Sequence, residues 1–236
     1  KLAADGIENE WKDSRLLIRT DSTHGFATVD FVETNKRIKE HFAAAAADVH
    51  IFPGFISSDS AGYTTTLGRG GSDYTAAIIA AAIDADVLEI WTDVSGMMTA
   101  DPRFVRNVRQ ISHITYREAM ELSHFGAKVI YPPTIQPVMA KGIPILVKNT
   151  FEPEDHGTLI ESESAAKSEM IRGITSIDKI TVLSLEGSGM VGVPGFSKRL
   201  FDALSRSNIN VILITQSSSE HSICVGIDTL KEKKAR

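Results

Sequence analysis

Leu67-Gly68-Arg69-Gly70-Gly71-Ser72-Asp73-Tyr74 runs without a break into Thr75-Ala76-Ala77-Ile78-Ile79-Ala80-Ala81-Ala82-Ile83. The second stretch is alanine-rich and apolar, which predicts a helix from Tyr74 to Ile83. The first stretch is a turn, with Thr64-Thr65-Thr66-Leu67 leading into it. Ser72 or Asp73 is the expected N-terminal cap. Three glycines permit positive φ and a close approach of backbone to ligand. A loop that ends at a helix N-terminus offers unpaired N–H groups to an anion. Arg69 supplies a fork that can clamp a carboxylate or phosphate through two hydrogen bonds. Asp73 supplies the opposite charge, suited to a substrate ammonium group or to orienting a transferred group. The plain structural alternative is a solvated turn capped by Ser72.

Outward from this loop, strand and helix patterns alternate. Upstream, Arg15 to Ile18 reads as a short strand, Asp30 to Phe42 as a helix, and Val49 to Phe52 as a strand stopped by Pro53-Gly54. Downstream, Asp86 to Trp91 is a strand and Tyr116 to Phe125 an amphipathic helix. Ile135 to Ala140 is helical and Ile143 to Lys148 is a strand. The alternation predicts an α/β fold around a three-layer, mostly parallel sheet. Residues 150–169 are polar and carry Pro153 and Gly157, and they read as a linker. Beyond them, Ile180 to Leu185, Phe196 to Ser205, Ile209 to Ile214 and Ser222 to Ile227 form a β-α-β-β order. That order suits a small ferredoxin-like α+β domain. The expected division is 1–160 and 161–236.

Bulk properties narrow the function classes. A net charge of -5 without a Lys/Arg stripe argues against a nucleic-acid partner. No apolar run reaches the ~18–20 residues a membrane span needs. The single cysteine, Cys224, has no internal disulfide partner, which favours a reducing, cytoplasmic location. His24, His41, His50, His113, His124, His156 and His221 show no metal-ligand spacing, and no dedicated metal ligand is expected. The opening Lys1-Leu2-Ala3-Ala4-Asp5-Gly6 lacks an initiator Met and reads as a helix end running into a turn. The chain is therefore expected to begin inside a domain.

Gly68-Arg69-Gly70-Gly71-Ser72-Asp73-Tyr74-Thr75-Ala76 resembles the signature of the amino-acid kinase family, and of aspartate kinases within it. Further blocks follow in the family's order: Trp91 to Val94 with Gly96, Thr99 to Arg103, Glu118 to Leu122 with 125–129, Ile143 to Thr150, and Gly157 to Ile160. The resemblance implies phosphorylation of the side-chain carboxylate of L-aspartate by ATP, with Mg2+ as the nucleotide's counter-ion. It places Arg69 and Asp73, with Gly70, Gly71 and Ser72, on the aspartate and phosphoryl-transfer side. It places Thr92, Asp93, Met98, Arg103, Lys128 and Val129 around ATP. Met98 departs from the aromatic residue common at its position. The family's first glycine-rich loop, with a phosphate-binding lysine, has no counterpart here, so the chain by itself is expected to be catalytically inactive.

Residues 179–230 resemble an ACT domain, an amino-acid-sensing module that works in paired copies. This implies an effector held by the 189–195 turn with Met190, and by Asn210 and Gln216. It also implies a homodimer or higher homo-oligomer, with Ile171 to Thr175 belonging to a second sensing unit. Lysine-sensitive relatives carry an acid where Ile212 stands. The run Leu213 to Glu220 resembles threonine-sensitive aspartate kinases, especially those fused to homoserine dehydrogenase, which implies threonine rather than lysine as the effector. Two rivals remain: another amino-acid kinase, and a non-catalytic amino-acid sensor on a kinase-like scaffold.

Overall fold

The Asp30 carboxylate accepts the N–H groups of Val32 and Glu33 and starts α1 (Phe31–Ala44). In a computed structural model of the chain, which describes residues 1–124, 129–163, 171–190, 192–216 and 222–235, α1 belongs to the first of two compact units, Lys1–Thr175 and Ser176–Arg236. Beside α1, β1 (Asn9–Trp11) and β2 (Val49–Ile51) pair in parallel, with Glu10 opposite His50. The strand expected at Arg15 to Ile18 is instead a 3-10 turn, Ser14–Leu16. Asp13 causes this. Its side chain accepts the Arg15 N–H and pairs with the Arg15 guanidinium at 2.6 Å, which bends the backbone.

A hairpin, β3 (Ile56–Ser58) with β4 (Thr64–Thr66), feeds the glycine-rich loop and then α2 (Gly71–Ala82). The remaining elements of the unit are β5 (Leu88–Thr92), β6 (His113–Thr115), α3 (Tyr116–His124), α4 (Pro132–Met139), β7 (Ile145–Asn149) and β8 (Thr158–Glu161). They form a sheet in the order β5-β7-β8-β6. The β5/β7 and β6/β8 pairs are parallel, and β7/β8 is antiparallel. β8 lies inside the stretch read as a linker. The linker reading therefore fails for Thr158–Glu161, which pairs with β7 and β6 on its two sides.

α2 has little polar face because it is covered on both sides. Ala77 and Ala80 pack with Ile90, Ile145, Val147, Ile160 and Ile135, whereas Ile78, Ile79 and Ala82 pack with Ile18, Ile38 and Leu67. The small alanines let the sheet side approach closely. Each fully buried isoleucine contributes roughly 1.5–3 kcal/mol. Ile171 to Thr175, expected with a second sensing unit, runs along the first unit here. The Ile174 N–H donates to Thr99 O at 2.8 Å, and Arg172 pairs with Glu118 at 3.7 Å.

In the second unit, β9 (Ile180–Glu186), α5 (Phe196–Arg206), β10 (Val211–Gln216) and β11 (Ser222–Asp228) build an antiparallel sheet in the order β10-β11-β9. Its core is Met190, Leu204, Ile209, Ile223, Val225 and Ile227, joined by Phe196, Leu200 and Phe201 of α5. Val182, Leu213 and Ile214 are exposed. The α/β class and the ferredoxin-like order are as the sequence reading expects.

Candidate functional site

Leu67 is buried and anchors the glycine-rich loop in the core. Gly68 and Gly70 both have positive φ, 76° and 68°. A Cβ on Gly68 would lie 2.3 Å from the Phe26 ring, and one on Gly70 would lie 2.4 Å from Tyr131 Cβ. Glycine is thus required at both positions by conformation and by space. Gly70 is the N-cap of α2 and provides no side-chain cap. Ser72 and Asp73 sit two and three residues further on, inside the first turn, so neither is the cap expected from sequence. A left-handed glycine had already started the helix, and both side chains are left for other uses.

Phe55 holds the loop from below. It sits at φ 75°, a conformation that costs a non-glycine residue ~1–3 kcal/mol. Three bonds hold it there: its N–H reaches Gly71 O at 3.3 Å and Thr75 Oγ1 at 3.0 Å, and its carbonyl accepts the Leu67 N–H at 3.0 Å. Sequence reading missed this residue, since positive φ on a phenylalanine leaves no trace in composition.

Arg69 is exposed, and among the described residues it makes no ion pair. Asp73 is half-buried, and burial pushes its carboxyl pKa up; only the Ser72 hydroxyl, at 3.4 Å, opposes that. A carboxylate held this way gains from an incoming cation. The neighbouring tyrosines, Tyr74 and Tyr131, are also pushed up by burial.

The pKa direction gives a sign for stability. Ionising Asp73 costs more in the folded chain than in the unfolded one. That cost is absent below the ordinary aspartate value of 3.8 and fully present above the raised folded value. Asp73→Asn is therefore expected to raise Tm at neutral pH, with the gain vanishing as pH falls below 3.8. Thermal melts of both proteins across that range check this; a gain independent of pH would contradict it.

Of the residues expected around a nucleotide, Thr92 and Asp93 lie at the C-terminal end of β5, where open α/β sheets bind ligands, and Met98, Arg103 and Val129 lie further along the chain. Thr92 ends β5; its hydroxyl reaches Asp93 at 3.2 Å and its carbonyl accepts the Thr150 N–H at 2.8 Å. Asp93 is exposed. Gly96, at φ 99°, lies against Thr158. Met98 is half-buried and bridges to Gln110. Arg103 is exposed, with its guanidinium on Asp101 at 2.6 Å. Val129 is half-buried against the main core. Lys128 lies outside the described residues.

The same strand ends bring together groups the sequence reading did not single out. Lys148 Nζ stands 4.9 Å over the Trp91 ring, and the two residues are register partners of β5 and β7. Asn149 donates to Ser95 Oγ at 3.0 Å, and Ser95 to Glu152 at 3.2 Å. Hydrogen bonds led by Ser95 hold the Asp155 carboxyl below its usual value. Only the pairing of distant strands makes these neighbours.

In the second unit, a cavity of about 280 Å³ is lined by Met190, Gly195, Phe196, Gln216 and Ile223, among others. Gly195, at φ 98°, caps α5 without a side-chain bond, so first-turn N–H groups face an open end. Met190 and Gln216 meet at this cavity. Asn210 does not line it; it is exposed just before β10. Residues 217–221 and Val191 of the expected effector region lie outside the described residues. Among the described residues, no helix is long and apolar enough to cross a membrane.

The family profile described as the amino acid kinase family matches residues 2–149, and one described as an ACT domain matches residues 183–236. The chain is 44% identical over 211 residues to a bifunctional aspartokinase/homoserine dehydrogenase of Haemophilus influenzae, covering 88% of this chain and 26% of that protein. It is 37% identical over 224 residues to the lysine-sensitive aspartokinase 3 of Escherichia coli, covering 94% of this chain and 49% of that protein. The solved structure of E. coli aspartokinase III in complex with aspartate and ADP matches with a TM-score of 0.86 at 36% identity, over 97% of this chain and 51% of that one. The chain thus spans about a quarter to a half of the length of the curated relatives it matches.

Proposed function

Because this chain belongs to the amino acid kinase family, we propose that it forms part of an aspartate kinase, which transfers the γ-phosphoryl group of ATP to the side-chain carboxylate of L-aspartate. One carboxylate oxygen attacks the γ-phosphorus, the bond to the β–γ bridging oxygen breaks, and ADP leaves with that electron pair. The carboxylate brings no proton to remove, so positioning and charge neutralisation are what the protein must supply. The observation that carries the reading is the Arg69–Asp73 loop: an exposed guanidinium, a half-buried carboxyl and a helix start capped only by glycine.

In this reading Arg69 clamps a substrate carboxylate and Asp73 faces the ammonium group. Gly70 and Ser72 present backbone N–H groups to the transferred phosphoryl, and Gly71, whose N–H donates to Gly68 O at 3.1 Å, holds the turn in shape. Thr92, Asp93, Met98, Arg103, Lys128 and Val129 surround the nucleotide, which brings its own Mg2+. ADP release measured with aspartate, glutamate, acetylglutamate and UMP as acceptors tests the assignment. Turnover with aspartate alone supports it. Turnover with another acceptor points to a different kinase, and none from the folded, complete gene product points to a sensor.

The second unit acts as a feedback sensor, working through paired copies, in a reducing cytoplasmic setting. The glycine-capped start of α5 takes the effector carboxylate, and Gln216 bonds its side-chain hydroxyl. Ile212 cannot pair with a lysine ammonium group, which supports threonine. Gln216→Ala is expected to raise the threonine concentration for half-inhibition on the order of tenfold, the equivalent of one lost hydrogen bond, with uninhibited turnover unchanged. Unchanged threonine sensitivity would remove Gln216 from the site.

A further inference from the structure

We propose that Glu10, His41 and His50 form a binding site for a zinc-class divalent cation, built on the β1–β2 pair and the end of α1. The parallel register sets Glu10 directly opposite His50. His41 comes from the last turn of α1, where the helix carbonyls favour positive charge. One ligand atom from each of the three side chains lies within 4.8 Å of the others, and His50 Nδ1 stands 3.8 Å from Glu10 Oε2.

The second observation is an unmet need. The His50 side chain is only 8% exposed, and its Nδ1 is buried without a hydrogen-bond partner. His41 Nε2 is buried and unpartnered as well. Two orphaned ring nitrogens beside one carboxylate call for an explanation, and a bound cation would satisfy both. The ring centroids of His41 and His50 are 5.2 Å apart. Phe42 stands edge-on to His50 at 4.8 Å, and Phe52 stacks on it at 6.1 Å. Phe42 and Phe52 thus pack around the two imidazoles, whose buried nitrogens find no partner among these apolar rings. Burial also pushes the His41 pKa down, which keeps the ring neutral and able to ligate.

Two histidines and a carboxylate are a zinc-type donor set, with a fourth position for water. Bonds of ~2.0–2.1 Å in a tetrahedron put ligand atoms about 3.3 Å apart, so the group would close by roughly an ångström on binding. Lys12 contributes opposing positive charge at His41, and Glu10 offsets it. The ion would tie β1 and β2 to α1, far in sequence from the glycine-rich loop.

The test uses the complete gene product, stripped of metal. It is titrated with Co2+, read by visible absorption, and with Zn2+, read by competition with a chromogenic chelator. The wild type is expected to bind one more equivalent of Zn2+ than His41→Ala, or to bind it ~100-fold more tightly, and to show the tetrahedral Co2+ bands that the variant lacks. Zn2+ should raise the Tm of the wild type and not of the variant. Should His41→Ala fail to fold, Glu10→Gln replaces a partly exposed side chain and carries the same expectation. Equal stoichiometry and affinity in wild type and variant, or no binding by the wild type, would overturn the proposal.

Discussion

Arg69→Ala is expected to lower kcat/KM for aspartate by about 10²–10³-fold while leaving Tm within a degree or two. The guanidinium is exposed and makes no ion pair among the described residues, so the fold has little to lose. The transition state has more to lose, because a planar fork reads a carboxylate or phosphoryl group through two bonds at once. Arg69→Lys should recover only a small part of the loss, since an ammonium group restores the charge without the fork. Steady-state kinetics and thermal melts on the complete gene product separate the two effects. Activity within twofold of wild type would take Arg69 out of the proposed site. Equal losses in Tm and activity would make it a structural residue.

Thr158→Val is expected to cost about 2–5 kcal/mol of stability, a fall in Tm on the order of 5–15 °C for a domain of this size. Thr158 is fully buried in β8. Its hydroxyl accepts the Met97 N–H at 2.8 Å and donates to Ile111 O at 2.6 Å. Valine keeps the shape and removes both bonds, which leaves two buried backbone groups unpaired at ~1–3 kcal/mol each. The loss falls on the segment that carries Gly96 and Met98, so KM for ATP should rise with it. Denaturant unfolding and ATP kinetics check both parts. A Tm within two degrees of wild type would show that water replaces the hydroxyl at no cost.

The features legible in the sequence are those decided locally. The helix expected from Asp30 to Phe42, the apolar run of α2 and the glycines of the loop are each set by a few neighbouring residues. Less was legible where distant segments decide. Thr158–Glu161 is four residues in a polar stretch, and only β7 and β6 make it a strand. Ser14–Leu16 turned instead of extending because one Asp13 carboxylate outcompeted the pairing that an apolar triplet suggests. Ser72 and Asp73 look like caps by residue type, yet Gly70 reached the left-handed conformation first. Arg69 and Asp73 could be named from sequence, but the burial of Asp73 could not. Met190 and Gln216 meet at one cavity and Asn210 stays outside it, a distinction that depends on how the β9–α5 turn closes over β10 and β11. Glu10, His41 and His50 carry no ligand spacing at all, since a strand register and the packing of the end of α1 bring them together.

Acyl phosphate formation by the complete gene product distinguishes an aspartate kinase from every rival. The protein is incubated with ATP, Mg2+, L-aspartate and hydroxylamine, with and without threonine or lysine, and the hydroxamate is measured. The expected result is aspartyl hydroxamate that requires aspartate and falls when threonine is added. A fall with lysine alone would keep the kinase and contradict the effector. No hydroxamate from the intact, folded protein would contradict the kinase itself.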